Sequence, residues 1–205
     1  LYLIGTSEHP LLAFKKDQSL QESDLPQRIG GISTCFRKEA GAHGRDTKGI
    51  FRVHQFNKVE QIVICEPEDS AKLFKEMQFI SESIFQQLEI PYRVVAVCSG
   101  DIGNKQSLQY DIEAWFPGQN EKKGAYREVT SCSNCLEYQA VTLNTKYTTK
   151  AGERKYVHML NNTALATSRV IVAIIENFQT KEGTVKIPKI LWPYMNGITE
   201  IKGKK

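Results

Sequence analysis

Between Phe36 and Glu60 the chain reads FRKEAGAHGRDTKGIFRVHQFNKVE, and these residue types could hold a polyanion, a flat ring and an ammonium group together. Two β-prone segments flank a Gly- and charge-rich turn, the pattern of a long antiparallel hairpin. Side chains alternate faces along a strand. On the second arm Arg52, His54, Phe56, Lys58 and Glu60 therefore fall on one face, with Phe51, Val53 and Val59 on the other. The second set can pack on a core. The first offers a guanidinium, an aromatic plate and a carboxylate in a row, with Arg37 and Glu39 available from the first arm. Taken alone, Arg37, Arg52 and Glu60 also fit an ion-pair ladder across a hairpin surface.

Other chemistries find less support. Cys132 and Cys135 form a lone CxxC, half of a tetrahedral zinc site, and no second pair or HxxxH follows. The alternative is two small, partly buried thiols where a strand turns into a helix. Five cysteines, an odd number, argue against a complete disulfide framework and for a reducing compartment. His43, His54 and His158 lack metal spacing and read as hydrogen-bonded structural groups, His54 being the one on the site face. Asp111 and Glu113 read as a structural pair or a second metal site. Neither GxGxxG nor GxxxxGK[ST] occurs, so any nucleotide site must be built another way.

Composition sets the frame. At 205 residues, with 40% hydrophobic and 24% charged, the chain has the make-up of one globular α/β domain or most of one. A net charge of +4 permits binding to phosphates without requiring it. No apolar run approaches the ~20 residues that span a bilayer. Leu1-Tyr2-Leu3-Ile4 reads as a strand already under way, with no initiating Met or signal pattern, which suggests a piece of something longer.

The elements that must position the hairpin follow from periodicity. A short helical stretch covers Pro10 to about Lys16, and Asp17 to Pro26 reads as a polar surface loop. The second hairpin arm can run on through Cys65. Pro67 opens a helix whose Leu73, Phe74, Met77, Ile80, Ile84 and Leu88 form one apolar stripe. Strands follow over Tyr92–Cys98, Tyr110–Phe116 and Tyr126–Ser131, then a helix from Asn134 to about Tyr147 and a strand over Lys155–Leu160. In Tyr110–Phe116, Ile112, Ala114 and Phe116 share the face opposite Asp111, Glu113 and Trp115. The polar turn Asn161–Thr163 leads into a helix from about Thr163 to Phe178, apolar nearly all round and expected deep against a sheet. Arg169 in its middle needs an anion or a carboxylate partner. Hairpin-joined strands with interspersed helices imply an α+β fold, a mostly antiparallel sheet flanked by helices.

Five stretches, GTSE (5–8), CFRKEAGAHGRDTKGIFRVHQFNKVE (35–60), DIEAWFPGQ (111–119), YREVTSCSNCLEYQA (126–140) and HMLNNTALATSR (158–169), resemble the class II aminoacyl-tRNA synthetases. Within that class the chain is similar to the catalytic core of the seryl-tRNA synthetase family, in its zinc-independent form and with eukaryotic or archaeal wording. The resemblance covers nearly the whole chain in order. It implies ATP-dependent activation of L-serine to seryl-adenylate and transfer to tRNA(Ser), with tRNA(Sec) as a further acceptor. It further implies Mg²⁺ but no zinc, a cytoplasmic homodimer and no membrane.

It also implies roles. Arg37 would bridge the ATP α-phosphate and the serine carboxylate, as a guanidinium fork can. Glu39 would accept from the adenine amino group or hold a neighbouring Arg, and Arg52 would clamp the γ-phosphate. Phe56 would stack beneath adenine, with Arg169 over its other face. Val53, His54, Gln55 and Phe56 would give backbone contacts. Val129 and Thr130 would line the nucleotide site beside Glu128 and Ser131, which would hold Mg²⁺. Thr6 and Glu8 would receive the α-ammonium, while Glu60, Asn161 and Thr163 would enclose the hydroxyl. Arg37, Arg52 and Arg169 would carry the catalysis.

The family's first motif, which forms its dimer interface, and its N-terminal tRNA-binding coiled coil should precede Leu1, so residues 1–205 would be the rest of the catalytic domain. Two alternatives remain open: a non-catalytic binding or regulatory derivative, and a ligase that serylates a carrier protein.

Overall fold

β2 (Gln27–Phe36) and β3 (Gln55–Cys65) form the antiparallel ribbon around which the molecule is arranged, in register from Gln27 opposite Ile64 to Phe36 opposite Gln55. The computed structural model describes residues 2–39 and 49–203. The ribbon extends into a six-stranded sheet through β9 (His158–Ala166), β6 (Ala125–Asn134), β5 (Leu108–Phe116) and β4 (Tyr92–Ala96), every neighbour antiparallel. With its helices this is the expected α+β fold.

Helix α2 (Ser70–Gln87) covers one face, against β9, β6 and β3. Leu73, Phe74 and Met77 are buried there with Val63, Cys65, Cys132 and Leu160. Ile80, the fourth member of the expected stripe, is exposed. On the opposite face α1 (Glu8–Ala13) and α4 (Tyr138–Leu143) close a core of Leu12, Ala140, Ile62, Ile64 and Met159. A small sheet packs beside them, with β7 (Lys146–Thr148) between β1 (Ser19–Gln21) and β8 (Arg154–Tyr156). A single turn labelled α3 (Gln119–Lys122) links β5 to β6. Helix α5 (Thr167–Phe178) lies across β5 and β3, and β10 (Val185–Lys186) pairs with β11 (Glu200–Ile201) near the C-terminal end.

Alternation along β3 positions the site. Phe56, Lys58, Glu60, Ile62 and Ile64 share one face. Ile62 and Ile64 enter the core under α1 and α4. The other half of that face, at Phe56 and Lys58, floors a cleft.

Several expectations change. Tyr2–Ile4 is not a strand: its side chains are exposed, and one hydrogen bond, from Phe36 N–H to Ile4 O, ties it to the ribbon. The hairpin arms end at Phe36 and Gln55, so strand alternation does not reach Phe51–His54; its turn, with His43, lies outside the described residues. The polar stretch 17–26 contains β1, because Leu20 is buried beside Tyr147. The helix expected from Asn134 shortens to α4, and the strand at Lys155 breaks at Val157.

The largest change is at Asn161–Thr163, which is strand and not turn. The Nδ2 of Asn162 donates to Met77 O and Ser81 Oγ on α2, both at 2.9 Å, so its donor is paired inside the core. β9 therefore continues to Ala166, and α5 starts four residues later than expected, putting Arg169 in its first turn. Nor is α5 sunk in the core: Val170 and Ala173 are buried, whereas Ile171 and Ile175 face solvent.

Candidate functional site

Two bulges shape the cleft. β6 carries an extra residue at Val129, because Ile112 pairs with Thr130 and Glu113 with Glu128. β9 carries one at Ala164, because Val59 pairs with Leu165 and Glu60 with Thr163. An extra residue resets strand alternation. Glu128 and Ser131, and likewise Thr163 and Ala166, can therefore line the same cleft although three residues apart.

The outer end gathers cations and rings. Arg52 donates to Glu39 Oε2 at 2.5 Å. Arg37 lies over the Phe56 ring, 5.2 Å from its centroid, and its Nε donates to Gly5 O at 3.2 Å. Arg169 donates to the backbone oxygen of Glu128 at 2.7 Å, with the Glu128 carboxylate at 3.4 Å. Its guanidinium covers the Phe51 ring at 5.0 Å, and Arg127 covers the same ring at 4.6 Å. Burial lowers the Arg169 pKa; Glu128 opposes this, and Arg52, Arg127 and Arg37 reinforce it. Glu128 is half exposed at the cleft mouth, yet the surrounding protein pushes its carboxyl up against the pull of Arg169. Lys58 aside, whose charge is met by Glu60, the lining side chains include three cations (Arg37, Arg52, Arg169) and two carboxylates (Glu39, Glu128). That excess suits a polyanion.

The inner end is sealed. Lys58 donates to Glu60 at 2.5 Å and to Thr6 Oγ1 at 2.8 Å, and both members of the ion pair are buried. Thr163 Oγ1 donates to Glu60 Oε2 at 3.4 Å from directly across the ladder. Burial pushes the Glu60 carboxyl up, Lys58 pulls it down, and the charge of Glu8 adds to the rise. Glu8 itself accepts from Lys105 at 2.6 Å and from Gln139 at 2.8 Å. Burial raises its pKa, but Lys105 and Gln139 outweigh that and leave it below the ordinary value.

Most of the sequence-derived residues meet in this one cleft: Arg37, Glu39, Arg52, Val53, Phe56, Glu128, Val129, Thr130, Ser131, Thr163 and Arg169 line it. Thr6 and Glu60 join through Lys58. Four further candidates neither line it nor bond to Lys58. His54 Nδ1 lies 3.0 Å from Arg37 O, and the Arg37 N–H donates to His54 O, so this pair buttons the base of the hairpin tip. Gln55 is exposed. Glu8 faces Lys105, and Asn161 donates to Cys135 Sγ at 3.4 Å.

Phe51 packs in the core against Phe116, as alternation placed it, and its ring also forms part of the cleft wall. Sequence reasoning missed that second role and gave Lys58 none, although the i, i+2 spacing to Glu60 was visible. Lys105 and Gln139, distant in sequence, left no signal. Cys132 and Cys135 are both buried, and burial pushes their thiols up, Cys135 to about 11. Among the described residues no group of three or more His, Cys, Asp or Glu is placed to hold a metal, and no helix is long and apolar enough to cross a membrane.

Residues 1–178 match the family described as the tRNA synthetase class II core domain (G, H, P, S and T). The chain belongs to that family. It is 57% identical over 204 residues to a serine–tRNA ligase of Picrophilus torridus, an alignment that takes in 99% of this chain and 45% of the relative. Among solved structures, seryl-tRNA synthetase from Pyrococcus horikoshii complexed with ATP superposes with a TM-score of 0.93 at 52% identity, covering 100% of this chain and 45% of that one. The cytoplasmic serine–tRNA ligase of Naegleria fowleri in complex with AMP gives 0.93 at 51%, covering 100% and 47%. A prolyl-tRNA synthetase of Giardia lamblia, 18% identical, shares the fold. The chain thus spans under half the length of the relatives it matches.

Proposed function

We propose that the protein containing this chain activates L-serine with ATP and transfers the seryl group to tRNA(Ser). The observation that carries this is the two-ended cleft. A cluster of guanidiniums around two aromatic rings opens at one end, and a buried carboxylate flanked by hydroxyls closes the other. The serine–tRNA ligase relatives and the ATP complex of a similar structure support the same reading.

Arg37 is the bridge, sitting between Phe56 and the Gly5–Thr6 segment, and so between the ring-binding and amino-acid ends. The serine carboxylate attacks the α-phosphorus, a new O–P bond forms, and the bond from that phosphorus to the bridging α–β oxygen breaks, pyrophosphate leaving with its electron pair. The tRNA terminal ribose hydroxyl then takes the acyl group and AMP departs. The carboxylate is already a nucleophile, so the residues act by positioning and by neutralising charge. Arg52 and Arg169 face the outer phosphates, Phe56 carries adenine, and Glu39 keeps Arg52 in place. Glu60 and Thr163 receive the hydroxyl, and Thr6, with Glu8 behind it, the ammonium. Asn161 supports that wall from the next position on the same face of β9.

Mg²⁺ fits the cleft wall. Glu128 and Ser131 offer oxygen donors on one bulged strand, and between them the buried Thr130 Oγ1 finds no hydrogen-bond partner among the described residues. A cation that keeps waters and phosphate ligands needs few protein groups. Bound there, it would supply charge neutralisation on the phosphates. Val129, the bulged residue, sets the spacing of these groups. The two-fold dimer, tRNA(Sec) as acceptor, the absence of zinc and a cytoplasmic location belong to the same proposal and rest on the family resemblance. Serine-dependent exchange of pyrophosphate into ATP by the full-length protein tests it. Exchange should require serine and fail with alanine, because a site that bonds a hydroxyl rejects its absence by ~10⁴-fold or more. Exchange supported equally by another amino acid would overturn it.

A further inference from the structure

We infer that Lys58 is a positioning residue of the amino-acid end of the cleft, holding the Glu60 carboxylate and the Thr6 hydroxyl as one unit. This rests on the serine reading above. Lys58 reaches two elements at once: Glu60 on its own strand at 2.5 Å, and Thr6, in the segment before α1, at 2.8 Å. Its side chain is 7% exposed and that of Glu60 2%, so neither charge is relieved by bulk water. The Gly5–Thr6 segment is held by one further bond from this ribbon, Arg37 Nε to Gly5 O. Without Lys58, Thr6 would lose its bond to β3 and Glu60 its one ion-pair partner among the described residues.

The charges facing Glu60 come from several elements. Lys58 lies on β3 itself. Glu8 acts from α1, with its own charge met by Lys105 of the β4–β5 connection. The Cys132 thiol feels Glu60 from β6, and from β9 the Thr163 hydroxyl donates. Burial and Glu8 both push the Glu60 carboxyl up, and Lys58 is the opposing charge. Removing Lys58 therefore moves the Glu60 pKa further upward, so that protonation sets in at a higher pH than in the wild type. The protonated acid keeps its size but loses the charge-assisted acceptor that a serine hydroxyl or ammonium needs.

The test is Lys58→Met in the full-length protein, with serine and ATP KM read by pyrophosphate exchange between pH 6 and 8 beside the wild type. Absence of serine-dependent exchange in the wild type would remove the serine reading, and this inference with it. Given exchange, the variant's serine KM should rise about tenfold more steeply than the wild type's from pH 8 down to 6, one pKa unit being tenfold in occupancy. Its ATP KM should stay within about twofold, because Glu60 and Thr6 lie at the other end of the cleft. A rise confined to ATP KM would make Lys58 a phosphate ligand, and a lowered melting temperature with a serine KM parallel to wild type would make it structural; either overturns the inference. Should Lys58→Met fail to fold, Lys58→Arg decides the point. It keeps the charge but puts a larger planar guanidinium where a buried compact ammonium meets both oxygens, so serine KM should rise roughly three- to tenfold with the wild-type pH profile, and an unchanged serine KM refutes the assignment.

Discussion

At the outer end of the cleft the charged side chains remain open to solvent, Arg52 at 36%, Arg169 at 21% and Glu128 at 51%, whereas at the inner end Lys58 and Glu60 are 7% and 2% exposed. The outer end holds more cations than carboxylates and stacks them on rings, an arrangement with charge to spare. The inner end is neutralised internally, each buried carboxylate having its own lysine, Lys58 for Glu60 and Lys105 for Glu8. An uncompensated field attracts a polyphosphate whose charge completes it. A compensated pocket selects by hydrogen bonding, because its polar groups must all find partners once water is excluded. One cleft can thus treat a strongly charged and a nearly neutral ligand by different physics.

Breaking the outer end should give the largest effect. Arg169→Lys keeps a charge but loses the planar group over Phe51 and the directed bond to Glu128 O. Adenylate formation should fall by ~10²-fold or more, about 3 kcal/mol of transition-state stabilisation, with little change in thermal stability. A variant that unfolds but stays active per folded molecule would return Arg169 to a structural role.

At the inner end Glu60→Gln should weaken serine binding by roughly 2–4 kcal/mol, as expected for a buried charge-assisted contact. It also leaves Lys58 buried without its carboxylate, so the melting temperature should drop, as it need not at the outer end. Titration calorimetry should show ATP affinity nearly unchanged. Parallel losses for both ligands would mean that Glu60 supports the hairpin as a whole and that the two ends are not separable.

A smaller change sharpens the contrast. Glu39→Gln removes the carboxylate that holds Arg52, a partly exposed pair, so ATP KM should rise only a few-fold, about 1 kcal/mol or less. Serine KM should not move. An equal shift in serine KM would show that the guanidinium cluster also shapes the inner pocket.

The gentlest probe is pH acting on the core beneath the inner end. Burial raises the thiols of Cys65 to about 12 and Cys135 to about 11. The folded state therefore keeps protons that the unfolded chain releases from about pH 9 upward, so stability declines with rising pH, by ~1.4 kcal/mol per unit for each such thiol. Cys135→Ala should flatten the fall in denaturation free energy between pH 9 and 11 relative to wild type. An unchanged slope would count against the buried-thiol account.

The comparison also separates what was legible in the chain from what was not. Within β3, alternation placed Phe56, Lys58 and Glu60 on one face, and the apolar face of Tyr110–Phe116 emerged as Ile112, Ala114 and Phe116, all fully buried. Period-two patterning survives folding wherever a strand runs without interruption. It failed at Asn161–Thr163, where polar residue types imitate a turn. There the asparagine Nδ2 groups donate to Met77, Ser81 and Cys135, partners that only packing supplies.

By itself the sequence determined the antiparallel α+β plan, the hairpin with its row of Arg, Phe and Glu, and the family, because these depend on local periodicity and on residue types in order. Only the tertiary structure decided that bulges at Val129 and Ala164 turn residues three apart into one cleft. It alone brought Arg169 to the first turn of α5 beside Phe51, and Lys105 to Glu8 across 97 positions. A bulge and a long-range ion pair depend on which strands and loops become neighbours, and local pattern carries no record of that choice.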